Sequence, residues 1–156
     1  MKWIKLFENF QEKRKTILIL GLPGSGKSNL AKKIQRENPD KDYIIYDDFR
    51  SDSALEGAGN ENQIISDGML MHTGPDGFIK QLQERGIELE IIYFENDPYK
   101  ASSNVEKRKS QGKSSAHQKY ISKYQIDHMY HMSRRYGDMI GPGTKTIPIW
   151  TADSDN

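Results

Sequence analysis

The chain has 156 residues, 35% of hydrophobic type and 29% charged, which suits one compact domain with a single core and leaves no room for a second. It has no cysteine, which excludes disulfides, thiolate metal ligands and a cysteine nucleophile, and no apolar run near the roughly 20 residues that cross a bilayer. The net charge of +1 is unevenly spread: residues 1–15 carry +3, 16–98 carry −7, 99–150 carry +7 and the last six −2, so the basic final third suits either a polyanionic partner or a solvated helix face.

Trp3, Leu6, Phe7 and Phe10 recur at helical spacing, so residues 1–15 are expected to hold a short amphipathic helix packed on the body. Lys5, Glu8 and Asn9 interrupt that stretch, unlike a secretory signal, and a soluble cytoplasmic protein with no membrane partner is expected. Thr16 to Leu20 is continuously apolar apart from its first residue, as a buried central parallel strand would be. A glycine-rich loop follows at once. From Lys27 to about Asn38, Leu30, Ala31 and Ile34 keep helical spacing until Asn38-Pro39 closes the helix.

Tyr43 to Tyr46 reads as a second strand ending in Asp47-Asp48, and Gln63 to Ser66 as a third ending in Asp67. The Ser-, Gly- and Asn-rich stretch 51–62 reads as a loop with room for one helical turn. Phe78, Ile79 and Leu82 predict a helix ended by Gly86, and Glu88 to Phe94 a fourth strand. Asp97-Pro98 opens a helix toward Lys109, with Asp97 as N-cap and Pro98 in the first position. Residues 110–115 read as a hinge, after which Ile121, Tyr124, Met129, Met132 and Tyr136 mark one helix face. Thr146 to Trp150 is a last strand weakened by Pro148, and 151–156 is a disordered tail. Residues 1–150 therefore read as one domain, with a lid region over about 99–125.

Strands alternating with helices imply an α/β fold: a doubly wound, mostly parallel sheet of about five strands with flanking helices and a helical lid. Ligands of such sheets bind beyond the carboxyl ends of the strands.

Gly21-Leu22-Pro23-Gly24-Ser25-Gly26-Lys27-Ser28 fits the phosphate-loop pattern G-x-x-x-x-G-K-[ST] in full and stands between a predicted strand and a predicted helix, the setting of a P-loop NTPase. Gly21, Pro23, Gly24, Ser25, Gly26, Lys27, Ser28 and Asn29 are expected to bind the phosphates of ATP. Glycines let the backbone curl so that successive N–H groups face phosphate oxygens, and the helix amino end adds a favourable dipole. Lys27 would reach the β- and γ-phosphates, and the Ser28 hydroxyl would bind Mg²⁺.

Asp67 stands where a Walker B carboxylate would bind Mg²⁺ directly or through water, and is otherwise an ordinary turn aspartate. A carboxylate at Asp47 or Asp48 can take the proton of an attacking hydroxyl, or simply cap the turn. Arg50 can hold an acceptor phosphate by a bidentate contact. Arg108, Lys109 and Lys113 flank the hinge, where a lid cation would neutralise charge on a transferred phosphoryl group. His128 and His131 are three apart on a helix but have no third ligand at a matching spacing, so a metal site is not expected there.

With the phosphate loop, Asp47-Asp48-Phe49-Arg50 and Ile65-Ser66-Asp67 in place, residues 16–136 resemble the kinase domain of phage-type polynucleotide 5′-hydroxyl kinases, within the small P-loop kinases. The resemblance implies Asp47 as general base, Asp48 as its supporting neighbour, and Arg50 on the acceptor's 3′-phosphate. Ser103-Asn104-Val105-Glu106-Lys107-Arg108 matches the family's basic lid stretch, with Arg108 as the lid arginine. Two departures stand out: Ser103 replaces the first lid arginine with one extra residue before Arg108, and the interval from Arg50 to Gln63 is short.

The implied function is transfer of the ATP γ-phosphate to a hydroxyl of DNA or RNA, with nucleic acid as partner. The resemblance also reaches relatives acting on hydroxymethylated pyrimidines in phage DNA, on nucleotides or on small molecules, which the phosphate loop does not separate, whereas Asp47-Asp48-Phe49-Arg50 favours nucleic acid. A nucleotide-dependent binding switch is the competing class. The chain lacks the Asn-Lys-x-Asp guanine motif, and no Asp-Glu pair follows an apolar strand to activate water.

Overall fold

The computed structural model describes residues 14–46, 56–66, 76–112, 124–128, 130–131 and 145–149. Along the chain run β1 (Lys15–Leu20), α1 (Lys27–Glu37), a 3₁₀ turn (Pro39–Lys41), β2 (Ile44–Tyr46), β3 (Gln63–Ser66), α2 (Asp76–Glu84), β4 (Glu88–Phe94), α3 (Pro98–Ser110) and β5 (Lys145–Ile147). The strands form one sheet in the order β2-β3-β1-β4-β5, every neighbouring pair parallel. This is the α/β architecture of a P-loop NTPase, with the strand count expected from the sequence.

β1 is central, and its apolar run has a cause on each face. Leu18 and Leu20 pack with Ile65, Ile79 and Tyr93, while Ile17 and Ile19 pack with Ala31 of α1, Ile64, Ile92 and Phe94. Strands covered on both faces have no use for polar alternation. The amino edge of the sheet is closed by Asn62, which accepts from Lys15 N (2.8 Å) and donates to Lys41 O (2.7 Å). Lys15 also pairs with Glu90 of β4.

Three local readings shift. The last strand ends at Ile147, ahead of the predicted Trp150, because Pro148 has no N–H for the ladder. Ile149 leaves the sheet, donates its N–H to the Glu95 carboxylate (3.3 Å) and buries its side chain beside Leu22, Ala101, Val105 and Ile126. Within 124–131 the buried seam runs through Ile126 and Tyr130, one turn apart, and Tyr124 is 79% exposed, off the face the spacing assigned it. The strand read from Tyr43 starts at Ile44, although the Tyr43 ring is buried in the core with α1.

The amphipathic helix read in 1–15 falls largely outside the described residues. So do the hinge beyond Gly112 and the tail.

Candidate phosphate-binding site

β1 delivers the chain to Gly21 at the carboxyl edge, between β3 and β4, where the strand order reverses. That is the crevice in which open α/β sheets bind ligands. Leu22-Pro23-Gly24-Ser25 makes a tight turn closed by a bond from Ser25 N to Leu22 O (3.1 Å), with proline second and a positive-φ glycine (86°) third, the residue choice of a type II turn. Gly26 then takes φ 101°, and α1 begins at Lys27.

The amino end of α1 departs from the ordinary rules. Its N-cap is Gly26, which has no side chain to cap the first turn, and that turn carries no acidic residue. The first bond along the helix is Leu30 N to Gly26 O (3.0 Å), so the N–H groups before Leu30 lie at the positively polarised end, outside the helix's own ladder. A lysine opens this turn, where the dipole alone would disfavour it. Lys27 Nζ donates to Gly21 O (2.9 Å) and Leu22 O (2.8 Å), which folds its ammonium back over the loop. Ser28 and Asn29 follow on the exposed side.

Gly21 to Gly26 are buried, and the packing explains why glycine stands at two of the positions. A Cβ at Gly21 would meet Phe94 Cβ at 3.0 Å; one at Gly24 would meet Ala101 O of α3 at 2.2 Å. The Ser25 side chain is fully buried, yet its hydroxyl has no hydrogen-bond partner among the described residues. Leaving such a group unmatched costs about 1–3 kcal/mol. An orphaned hydroxyl in a glycine-lined cradle, beside an uncapped helix end and an ammonium, fits a phosphate group.

The α3 helix forms the wall of the site. Asp97 caps it, accepting from Tyr99 N (3.1 Å) and Lys100 N (3.0 Å). Ala101 and Val105 are its buried seam against Leu22, and Asn104 Nδ2 donates to Gly24 O (2.8 Å) across 80 residues of sequence. Arg108 is half-buried one turn beyond Asn104, on the same face.

The structure therefore brings Gly21 to Asn29 together with α3. β2 and β3 end at Tyr46 and Ser66, whereas Asp47, Asp48, Arg50 and Asp67 lie outside the described residues. Among the described residues, no group of three or more His, Asp or Glu is placed to hold a metal ion. No described helix is long and apolar enough to cross a membrane. Sequence reasoning missed the contacts of Ala101 and Asn104. Their signal was present as Ala101 and Val105, two small or apolar residues four apart in an otherwise polar helix.

Tyr46 closes a polar network on the α2 face of the sheet. Its hydroxyl donates to the Glu61 carboxylate, which raises the phenol's pKa, and Glu61 also accepts from Gln63 Nε2 (3.2 Å).

No protein-family model matches this sequence, and no curated protein matches it. Solved structures do resemble its fold. A deoxyadenosine kinase from M. mycoides with bound dATP superposes with a TM-score of 0.59 at 14% identity, over 89% of this chain and 94% of that one. A gluconokinase from Sinorhizobium meliloti 1021 gives 0.56 at 12%, over 93% and 88%. A structure from the PezAT chromosomal toxin-antitoxin system of Streptococcus pneumoniae gives 0.52 at 13%, over 99% and 79%. At such identities the likeness is one of fold: the chain shares the overall architecture of these structures, two of them kinases.

Proposed function

We propose that the protein is an ATP- and Mg²⁺-dependent phosphotransferase that moves the γ-phosphoryl group onto a hydroxyl of DNA or RNA, a 5′-hydroxyl in the first instance. The observation that carries the phosphotransferase reading is the uncapped amino end of α1, with Lys27 folded over Gly21 O and Leu22 O beneath it. The kinases among the fold neighbours support it.

The loop N–H groups and Lys27 hold the phosphates and hold ADP as it leaves. The acceptor oxygen forms a bond to the γ-phosphorus while the bond from that phosphorus to the bridging oxygen breaks. Asp47 takes the hydroxyl proton, and Arg108 meets charge spreading over the transferred group. Magnesium, when bound, neutralises charge on the phosphates; the Ser28 hydroxyl and the Asp67 carboxylate, both hard oxygen donors, are the residues to hold it. Arg50 and Asp48 orient the acceptor. The stretch Asp47-Asp48-Phe49-Arg50 and the basic charge of residues 99–150 favour a nucleic acid.

A second reading has its own support. Two fold neighbours are named for small-molecule substrates, gluconate and deoxyadenosine, so a nucleoside or sugar hydroxyl is an equally direct acceptor.

Transfer of label from γ-³²P-ATP separates these readings when the panel holds 5′-hydroxyl DNA and RNA, 5′-blocked DNA with and without hydroxymethylated pyrimidines, nucleosides and sugars. Label on 5′-hydroxyl ends is the expected result, and label on nucleosides or sugars alone replaces it with the second reading. Hydrolysis with no acceptor labelled favours a switch. Asp47→Asn is expected to lower transfer by about 10²–10⁴-fold with nucleotide binding retained. An unchanged rate removes Asp47 from the reaction.

A further inference from the structure

We infer that Asn104 is a positioning residue for nucleotide binding, acting through the peptide that joins Gly24 to Ser25. This rests on the proposal that the loop holds the phosphates of ATP and involves no particular acceptor.

Gly24 has no side chain because Ala101 O occupies the space a Cβ would need, 2.2 Å away. The same lack of Cβ leaves the following peptide unusually able to rotate. A flipped Gly24–Ser25 peptide would break the bond from Ser25 N to Leu22 O that closes the turn. It would also swing the carbonyl oxygen away from α3 and against Leu22 O, where two acceptors repel, so the turn that shapes the phosphate loop would open.

Asn104 opposes that flip. Its Nδ2 donates to Gly24 O at 2.8 Å, so the carbonyl is held toward α3 and the turn stays closed. The donor is itself well anchored. Ala101 and Val105 on either side of it are buried against Leu22 of the same loop, and Asp97 caps the helix. The glycine that allows helix and loop to touch therefore creates a freedom that the helix then removes. A hydrogen bond of this kind amounts to a several-fold change in an equilibrium.

The test compares wild type with Asn104→Leu, which keeps the volume and removes the donor. It uses calorimetric titration with Mg-ATP and hydrogen exchange of the ligand-free protein. Binding of Mg-ATP is expected to weaken about tenfold. The KM for ATP rises with it, and the KM for the acceptor is unchanged. Amide exchange is expected to quicken over residues 21–26 and to stay as in wild type over β4. Asn104→Asp, which turns a carboxylate toward a carbonyl oxygen and toward phosphate, is expected to bind more weakly still, and it carries the comparison should Asn104→Leu fail to fold.

Wild-type affinity together with wild-type exchange over the loop would overturn the inference. Quickened exchange throughout the protein would do the same, since it marks a purely structural role. If wild type itself binds no Mg-ATP, the phosphate-loop reading fails first, and the exchange pattern still decides whether Asn104 holds the turn.

Discussion

The two helices that meet at the carboxyl edge of the sheet begin in opposite ways. α3 follows the rules of an isolated helix: an aspartate cap bonded to two backbone N–H groups, proline in its first position, and Lys107, Arg108 and Lys109 in its last turn. α1 begins on an uncapped glycine in a left-handed conformation, with no acid in its first turn and a lysine in its place. α3 is closed by its own side chain, whereas α1 has no side chain at its cap position. The buried, unpaired Ser25 hydroxyl beside α1 belongs with that difference. Local rules broken together at one place are what a functional site, such as the one proposed, is expected to show.

The comparison is easiest to break by giving α1 the cap it lacks. Gly26→Asp would place a carboxylate at the open end, where it competes with phosphate. Its φ of 101° also strains any side chain, by about 1–2 kcal/mol. Mg-ATP binding measured by calorimetry is expected to fall more than about 100-fold, roughly 3 kcal/mol. Binding that survives would show that phosphate does not sit at this helix end.

The converse change takes the cap from α3. Asp97→Ala is expected to cost about 1 kcal/mol, a fall of about 2–4 °C in Tm by thermal melt. Because the helix remains packed through Ala101 and Val105, Mg-ATP affinity should change less than about threefold. A loss as large as that of Gly26→Asp would mean that the two helix ends are not separate in function.

The smallest effect is expected far from both helices, at the ion pair of Lys15 with Glu90. Lys15→Met should cost less than about 1 kcal/mol, because both side chains are partly exposed. The hydrogen bond to Glu90 raises the lysine's pKa, so its contribution is fully present at neutral pH. It is lost as pH climbs above about 10.5, through the raised folded-state value. The gap in Tm between wild type and Lys15→Met should thus be constant from about pH 7 to 9.5 and shrink beyond. A gap that widens at alkaline pH would assign the wrong sign to this pair.

How far each element was legible in the sequence depended on how local its cause is. Gln63–Ser66 and Glu88–Phe94 match their predicted bounds, because each holds a β-branched apolar stretch set off by polar or charged residues. The Asp97-Pro98 start of α3 was equally plain, since a cap acts within three residues. Tyr124 was misplaced because an aromatic at helical spacing does not reveal which of two faces is buried. Ile149 was read as strand because nothing beside it names Glu95, more than fifty residues earlier, as the partner that draws it out of the sheet.

The sequence by itself determined that strand, glycine loop and helix follow one another, and so where on the fold an anion site is proposed. That follows because turn, dipole and lysine all act over a few neighbouring residues. Only the tertiary structure decided what encloses the loop. The order β2-β3-β1-β4-β5 puts β4 beside β1, which lets α3 lie against Gly24 and brings Asn104 to a carbonyl 80 residues away. Contacts of that kind depend on which strands become neighbours, a choice made by burial over the whole sheet and by no single stretch of chain.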